Sequence, residues 1–344
     1  MFKYFLVCLI SVLMSVALLC VERLAGIDWN YSIDAVTYTN TSKMVFDSVI
    51  ADPTKAPNNG YYILVALMQS SVWFVTVYNI CLFGVTSMLF AKAHWNFFGA
   101  GSGKMTLLLM ILVMNPYRMH LATTMLKDTT VIFLLTLALS RIKFNLLAWL
   151  PLLIVRLGSI FYGWIFLNRK ILFLALISLS IGVAFYYQPL TLWLQDSNSA
   201  NMRFREYDLV PNFLEYGFIG ILVRAVTWPF MLMSGAFIFF SPSIMFVPIA
   251  VGSLMLQMYS LIVLRRFAFT LGAYISMLLL GLIVTGFTTY VRYCYPILVV
   301  LPILVMRQQR LSSWSSPTKI TLKPFFSIFA SKIRQDLRYN NGTA

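Results

Sequence analysis

Charge is scarce in this chain, and acidic charge most of all. Of 344 residues, 11% are charged and only 11 are Asp or Glu. A soluble globular domain carries about 25% charged residues, so an ordinary charged surface is excluded. A chain of 39.3 kDa still has to cover a large surface, and here that surface must be mostly apolar and face lipid. Histidine is nearly missing: His94 and His120 are the pair present, too few to build a metal site alone. Cysteine is sparse as well. Cys8, Cys20, Cys81 and Cys294 lie in or beside apolar runs, with neither metal-ligand spacing nor a disulfide pattern. Short segments of alternating polarity, the mark of a membrane β-barrel, are absent too.

What is present is grease in long runs. The chain is 60% hydrophobic, with a mean hydropathy of +0.81. Runs near the roughly 20 residues needed to cross a bilayer recur along it. They must be helices, because lipid satisfies no backbone groups. The fold expected is therefore all-α, a multi-pass transmembrane helical bundle of about nine or ten spans, with short broken helices among them. It occupies 1–310, and 311–344 form a basic tail.

The net charge is +15. The basic residues are scattered over loops and tail, which argues against nucleic acid and for anionic lipid headgroups and phosphate-bearing substrates. After Met306 the chain carries seven basic residues against one acidic. Phe325, Phe326, Phe329, Ile333 and Leu337 fall on a helical period there, as in an amphipathic helix lying on a membrane.

In chain order, a first apolar helix covers about Tyr4 to Cys20. Lys3 places its start in the cytoplasm under the positive-inside rule. With no small-x-small cleavage site before Glu22, it reads as an anchor rather than a signal peptide. The polar segment 21–60 then lies outside, as a long first extracytoplasmic loop with a short interfacial helix over Tyr38–Val49. One apolar run spans Tyr61 to Ala91. The GAGSGK stretch before Met105 is a turn, not a phosphate loop: Phe98 stands where a Gly is needed, and Met105 where a Ser or Thr is needed. Met105 to Met114 is too short to cross and breaks at Pro116. Asp128 opens the next apolar helix, where two threonines after it also fit a helix cap. Arg156 stands in mid-run at 146–164. A span with a buried arginine and a hairpin turning near Arg156 both fit. Further spans cover 171–187, 213–240, 244–264, 267–289 and 296–306. Inside termini require an even number of spans, and the parity stays open.

Carboxylates that could act as a base are concentrated in 21–60. Asp34 is the first choice and Asp28, beside Trp29, the substitute. The cations expected on the same face are Arg118, His120, Lys127 and Arg292. A cluster of this kind suits a phosphate or diphosphate: lysine gives a mobile charge, arginine a fixed fork of donors. One carboxylate facing a phosphate clamp is the equipment for glycosyl transfer from a lipid phosphate. The carboxylate activates an acceptor hydroxyl and the cations stabilise charge on the leaving group.

Three stretches carry a resemblance. IDAVTY (33–38) after helix one, LKDTTVIFLLTLAL (126–139) and VRYCYPILVV (291–300) resemble the polyprenyl-phosphate-sugar-dependent membrane glycosyltransferases (GT-C type) and the related bacterial O-antigen and capsule oligosaccharide polymerases. The resemblance implies a GT-C-like bundle in the bacterial inner membrane with both termini in the cytoplasm. It implies transfer of a sugar unit from a polyprenyl-linked donor to an acceptor hydroxyl outside. Asp34 would be the base, with Arg118, His120, Lys127, Asp128, Arg156, Arg292, Tyr38, Arg203 and Arg205 toward substrate. The partners implied are the polyprenyl-linked sugar, anionic membrane lipid and other polysaccharide assembly proteins. Whether a divalent cation, Mg or Mn, bridges donor phosphate to Asp34 stays open. The chain departs from the family in having Ala35 where many transferases have a second acidic residue, and in lacking a large soluble C-terminal domain. A lipid-linked sugar flippase, or a non-enzymatic membrane assembly protein, is the alternative.

Overall fold

The computed structural model describes residues 2–28, 33–98, 103–140, 145–166, 169–202, 213–240, 246–264, 270–284 and 286–315. Every element among them is a helix. Arg203, Arg205, Trp29 and the expected amphipathic helix of the tail lie outside the described residues.

α1, Phe2–Leu24, turns the usual pattern inside out. It buries Ser11, Ser15 and Glu22 with Val7 and exposes Phe5, Leu6, Leu9, Leu13 and Val16. Water would reject such a face, and lipid accepts it. Small and polar residues pack inward because apolar side chains gain nothing by leaving lipid for protein. Gly84 of α4, Val72–Phe98, allows α1 to come close: a Cβ there would sit 2.7 Å from Val12 Cγ2. α11, Gly217–Ser234, shows the same logic, exposing Ile219, Val223, Val226 and Phe230 along one face. Among the described residues, three helical segments, Phe2–Leu24, Val72–Phe97 and Leu214–Ser234, are long and apolar enough to cross a membrane. A fourth arises if α9, Arg169–Phe185, and α10, Tyr187–Met202, which meet at an 87° bend, count as one span. The chain is thus a helical membrane protein. Shorter apolar helical stretches among the described residues cover Asp128–Leu139, Val247–Ser260, Ala273–Ile283 and Phe287–Ile303.

Several expectations change; in place of the spans expected over 267–289 and 296–306, helices run Thr270–Ile283 and Phe287–Ser315. The run Tyr61–Ala91 is not one helix. α3, Gly60–Leu67, ends at Met68, and Gln69 and Ser70 both adopt a φ of +57° before α4 begins. Ser42 Oγ meets Ser70 Oγ at 2.7 Å and fixes the break. The first polar segment is not mainly loop either. α2 runs Ile33–Ala51, well beyond the expected Tyr38–Val49, because Ala35, Tyr38, Ser42 and Val49 form one buried face. The predicted break at Pro116 is present. α5 covers Gly103–Val113 and α6 covers Pro116–Ala122, with Asn115 capping the Arg118 amide.

α7 is Asp128–Ser140 and α8 is Asn145–Val155. α8 stops at Arg156, and a tight helical stretch, Leu157–Phe166, follows, so the run 146–164 is broken at the arginine. α12, Val247–Leu264, and α13, Thr270–Ile283, lead to α14, Phe287–Ser315. The last contains Pro296 and Pro302, which neighbouring helices tolerate in a bundle. The main core gathers Tyr61, Phe90, Trp228, Phe287 and Tyr295 with aliphatic residues of α4, α7 and α14. A smaller core lies between α9, α11 and α13. Arg224 is buried there, donating to Leu282 O at 3.0 Å and lying 4.8 Å from the Trp228 ring.

Candidate functional site

Four charged residues from four helix ends meet. Asp34 lies in the first turn of α2 and Asp128 in the first turn of α7. Each carboxylate is therefore near the positive end of a helix dipole. Arg156 directly follows α8, and Arg292 lies near the start of α14.

Asp128 is the inner anchor. Its Oδ1 accepts from Arg156 Nη2, and its Oδ2 accepts from Arg292 Nε at 3.3 Å and Nη2 at 3.2 Å. The side chains of Asp128 and Arg156 are each 2% exposed. Burying these charges costs several kcal/mol of desolvation per ion, which two guanidinium groups on one carboxylate offset. Asp128 thus serves as counter-ion rather than as a cap. Arg156 also donates to the Arg292 carbonyl at 2.8 Å and to Tyr162 Oη at 3.4 Å. Its Cζ lies 5.3 Å from the Tyr293 ring. Gly158 makes room for that ring: a Cβ there would come within 2.3 Å of Tyr293 Cε1.

Asp34 is the outer carboxylate. Its Oδ2 accepts from Arg292 Nη1. Its side chain is 41% exposed against 18% for Arg292, so exposure falls steeply from Asp34 through Arg292 to Asp128. Tyr38, one turn further along α2, is buried with its ring edge-on to Tyr61 and Tyr62, each 4.8 Å away. Burial raises its phenol above the ordinary value.

Lys127 stands at the rim, half-buried, with Nζ 3.5 Å from Asn58 Oδ1. Asn58 adopts a φ of +67°, a left-handed conformation that asparagine accepts more readily than most residues. Burial first, then the nearby Arg156 and Arg292, push the Lys127 ammonium down to about 8. The backbone that carries Lys127 is tied down by Asn79, whose Nδ2 donates to Thr124 O at 2.7 Å and Leu126 O at 3.5 Å.

Not every predicted residue joins. Arg118 lies between the rings of Phe83 and Phe90, 4.2 and 4.6 Å from their centroids. It donates to Phe83 O at 2.9 Å and Ser87 Oγ at 2.8 Å, so its guanidinium holds α6 against α4. His120 Nδ1 is 2.6 Å from Glu22 Oε1, and Thr123 Oγ1 donates to Glu22 Oε2 at 2.6 Å. That pair ties α6 to the end of α1. The expectation that Arg118 and His120 complete a phosphate clamp with Arg292 is therefore corrected. Asp28 lies exposed just past the end of α1. The carboxylate from this part of the chain that meets Arg292 is Asp34.

Sequence reading missed Tyr162, Asn58, Asn79 and Gly158. Asn79 carried a signal, a polar amide in the middle of an apolar helix. A divalent cation fits this site poorly. It would need several oxygen donors, and both carboxylates already face guanidinium groups. Among the described residues, no three His, Cys, Asp or Glu gather where they would hold a metal ion. With two carboxylates against Arg156, Arg292 and Lys127, the donor set suits an anion.

Compared with known proteins, the chain matches no family model, no curated protein sequence and no solved structure.

Proposed function

We propose that the chain is a membrane glycosyltransferase or oligosaccharide polymerase that moves a sugar unit from a polyprenyl-(di)phosphate donor to an acceptor hydroxyl. One observation carries this reading. The three stretches that resemble such enzymes, 33–38, 126–139 and 291–300, each contribute a charged residue to a single ion cluster: Asp34, Asp128 and Arg292. Under this reading the bundle is GT-C-like, with nine or ten spans once shorter and broken helices are included. It lies in the bacterial inner membrane with its termini in the cytoplasm and the cluster on the outer face.

Asp34 is the base. Its carboxylate takes the proton of the acceptor hydroxyl. The hydroxyl oxygen bonds to the anomeric carbon as the bond from that carbon to the phosphate oxygen breaks. The electron pair leaves on the phosphate, held by Arg292 and Lys127, and Asp34 returns its proton to water. Asp128 and Arg156 do not touch substrate; they hold Arg292 in place, and Tyr38 walls the site. Apolar grooves between helices take the prenyl chain.

The test is to extract membrane lipids from cells carrying Asp34→Asn at normal protein level. The transfer reading expects the polyprenyl-linked sugar to accumulate on the outer face, open to a membrane-impermeant oxidant. Accumulation on the inner face points to a flippase. No accumulation contradicts both.

A further inference from the structure

Arg292 holds two carboxylates unequally. Two of its nitrogens, Nε and Nη2, go to Asp128, and one, Nη1, goes to Asp34. Asp128 is locked: its other oxygen is on Arg156, and Arg156 also grips the Arg292 carbonyl. The guanidinium is thus fixed from two sides. Asp34 is the exposed end of the chain of ion pairs, 41% open against 2% for Asp128. An anion arriving from outside meets Asp34 first and competes for the donor that Asp34 holds.

The charges sharpen the point. Asp128 cancels one guanidinium, and Asp34 cancels the other. If Asp34 leaves Arg292, the guanidinium charge there is no longer cancelled, and Lys127 at the rim lies near enough to feel the Arg292 charge. A phosphate has the oxygens to take both, the fork of an arginine and the point charge of a lysine. While the pair stands, Asp34 Oδ2 is engaged with the Arg292 guanidinium.

We infer that Asp34 is the resident counter-ion of a phosphate site on Arg292 and Lys127, and that an arriving phosphate group takes the outer donor of Arg292 and sets the Asp34 carboxylate free. This rests on the transfer reading for the carboxylate's use as a base, though not for the phosphate site. In a transferase it couples two events: the donor phosphate that binds Arg292 also releases the Asp34 carboxylate from it.

The test is equilibrium binding to the purified full-length chain in detergent, with inorganic phosphate and farnesyl phosphate as separate probes. Asp34→Asn removes the competing charge. An exposed ion pair is weak, so binding tightens by about two- to fivefold. Arg292→Lys loses the fork and weakens binding of both probes. Asp47→Asn removes one carboxylate from further along α2, where it is exposed, and leaves affinity unchanged. Tightening with both probes identifies the phosphate group itself as the ligand. Tightening with farnesyl phosphate alone identifies a lipid phosphate.

The inference is overturned if Asp34→Asn, with an unaltered melting curve, binds no better than the parent, or if Asp47→Asn tightens binding equally. Asp34→Ser gives the same reading should Asp34→Asn misfold. Tighter binding by Asp34→Asn, where the parent chain itself transfers no sugar, supports the counter-ion and counts against the transferase. Unchanged binding in a chain that does transfer sugar overturns the counter-ion alone.

Discussion

Asp34 and Arg292 meet as an ion pair although 258 positions separate them. The pair joins the first turn of α2 to the start of α14, so the first and last parts of the described chain close on one point. Arg292 then passes the contact inward to Asp128. One pair is open to solvent and the other is sealed, and the two carboxylates should answer differently to the same substitution. Asp128→Asn leaves two guanidinium groups without their buried counter-ion and should cost about 3–5 kcal/mol. Asp34→Asn breaks a partly exposed, salt-screened pair and should cost about 1 kcal/mol or less. Thermal melts of the two variants in the same detergent check this: Asp128→Asn should melt clearly lower, and Asp34→Asn near the parent.

Gly158→Ala should disturb the site without touching a charge. The added Cβ would overlap the Tyr293 ring, which must swing away from Arg156. Arg156 then loses its aromatic cover, and Arg292 loses part of its hold through the 2.8 Å bond to its carbonyl. Overpacking of this kind costs roughly 1–3 kcal/mol. Activity should fall more than protein level does, and Tyr293→Leu in the Gly158→Ala background should restore part of it by removing the clash.

Phosphate binding should depend on the Lys127 ammonium. It is held down to about 8, so it is charged below that pH and neutral above it. The contribution of Lys127 to phosphate affinity should therefore be present below about 8 and be lost as pH rises through it. Lys127→Arg keeps its charge far above this range and should flatten the profile. A binding titration from pH 6.5 to 9.5 on both chains checks the direction.

Arg118→Gln should behave as a packing lesion. Its guanidinium is spent on Phe83 O and Ser87 Oγ between two aromatic rings. The expected result is a lower melting temperature and lower abundance, with phosphate affinity per folded molecule unchanged.

Much of this arrangement could be read from local sequence. Arg156 stood out because an arginine in an apolar run is costly and needs a partner. Asp34 falls in the polar segment 21–60, and Lys127 and Arg292 are among the cations expected on its face. Which cations share it did not follow from sequence. Arg118 sits in an island with His120 and Lys127, yet both of its rings come from α4, as do its acceptors Phe83 O and Ser87 Oγ, 35 and 31 positions away. Such long-range pairing leaves no local mark. The extent of α2 was obscured by its Thr, Asn, Ser and Asp residues, which favour turns over helix interiors. Its buried Ala35, Tyr38, Ser42 and Val49 outweigh them. The break at Gln69–Ser70 uses neither Gly nor Pro, the residues that normally announce one.

The measurement that tests the central claim most directly is the length ladder of surface polysaccharide in a deletion strain complemented with Asp34→Asn, with membrane protein level followed in parallel. A normal amount of protein and a lost ladder is the predicted result, with partial recovery in Asp34→Glu, which keeps the carboxylate. An unchanged ladder at the same protein level would contradict the assignment of Asp34 as the working base, and with it the transfer mechanism built on the Asp34–Arg292 pair.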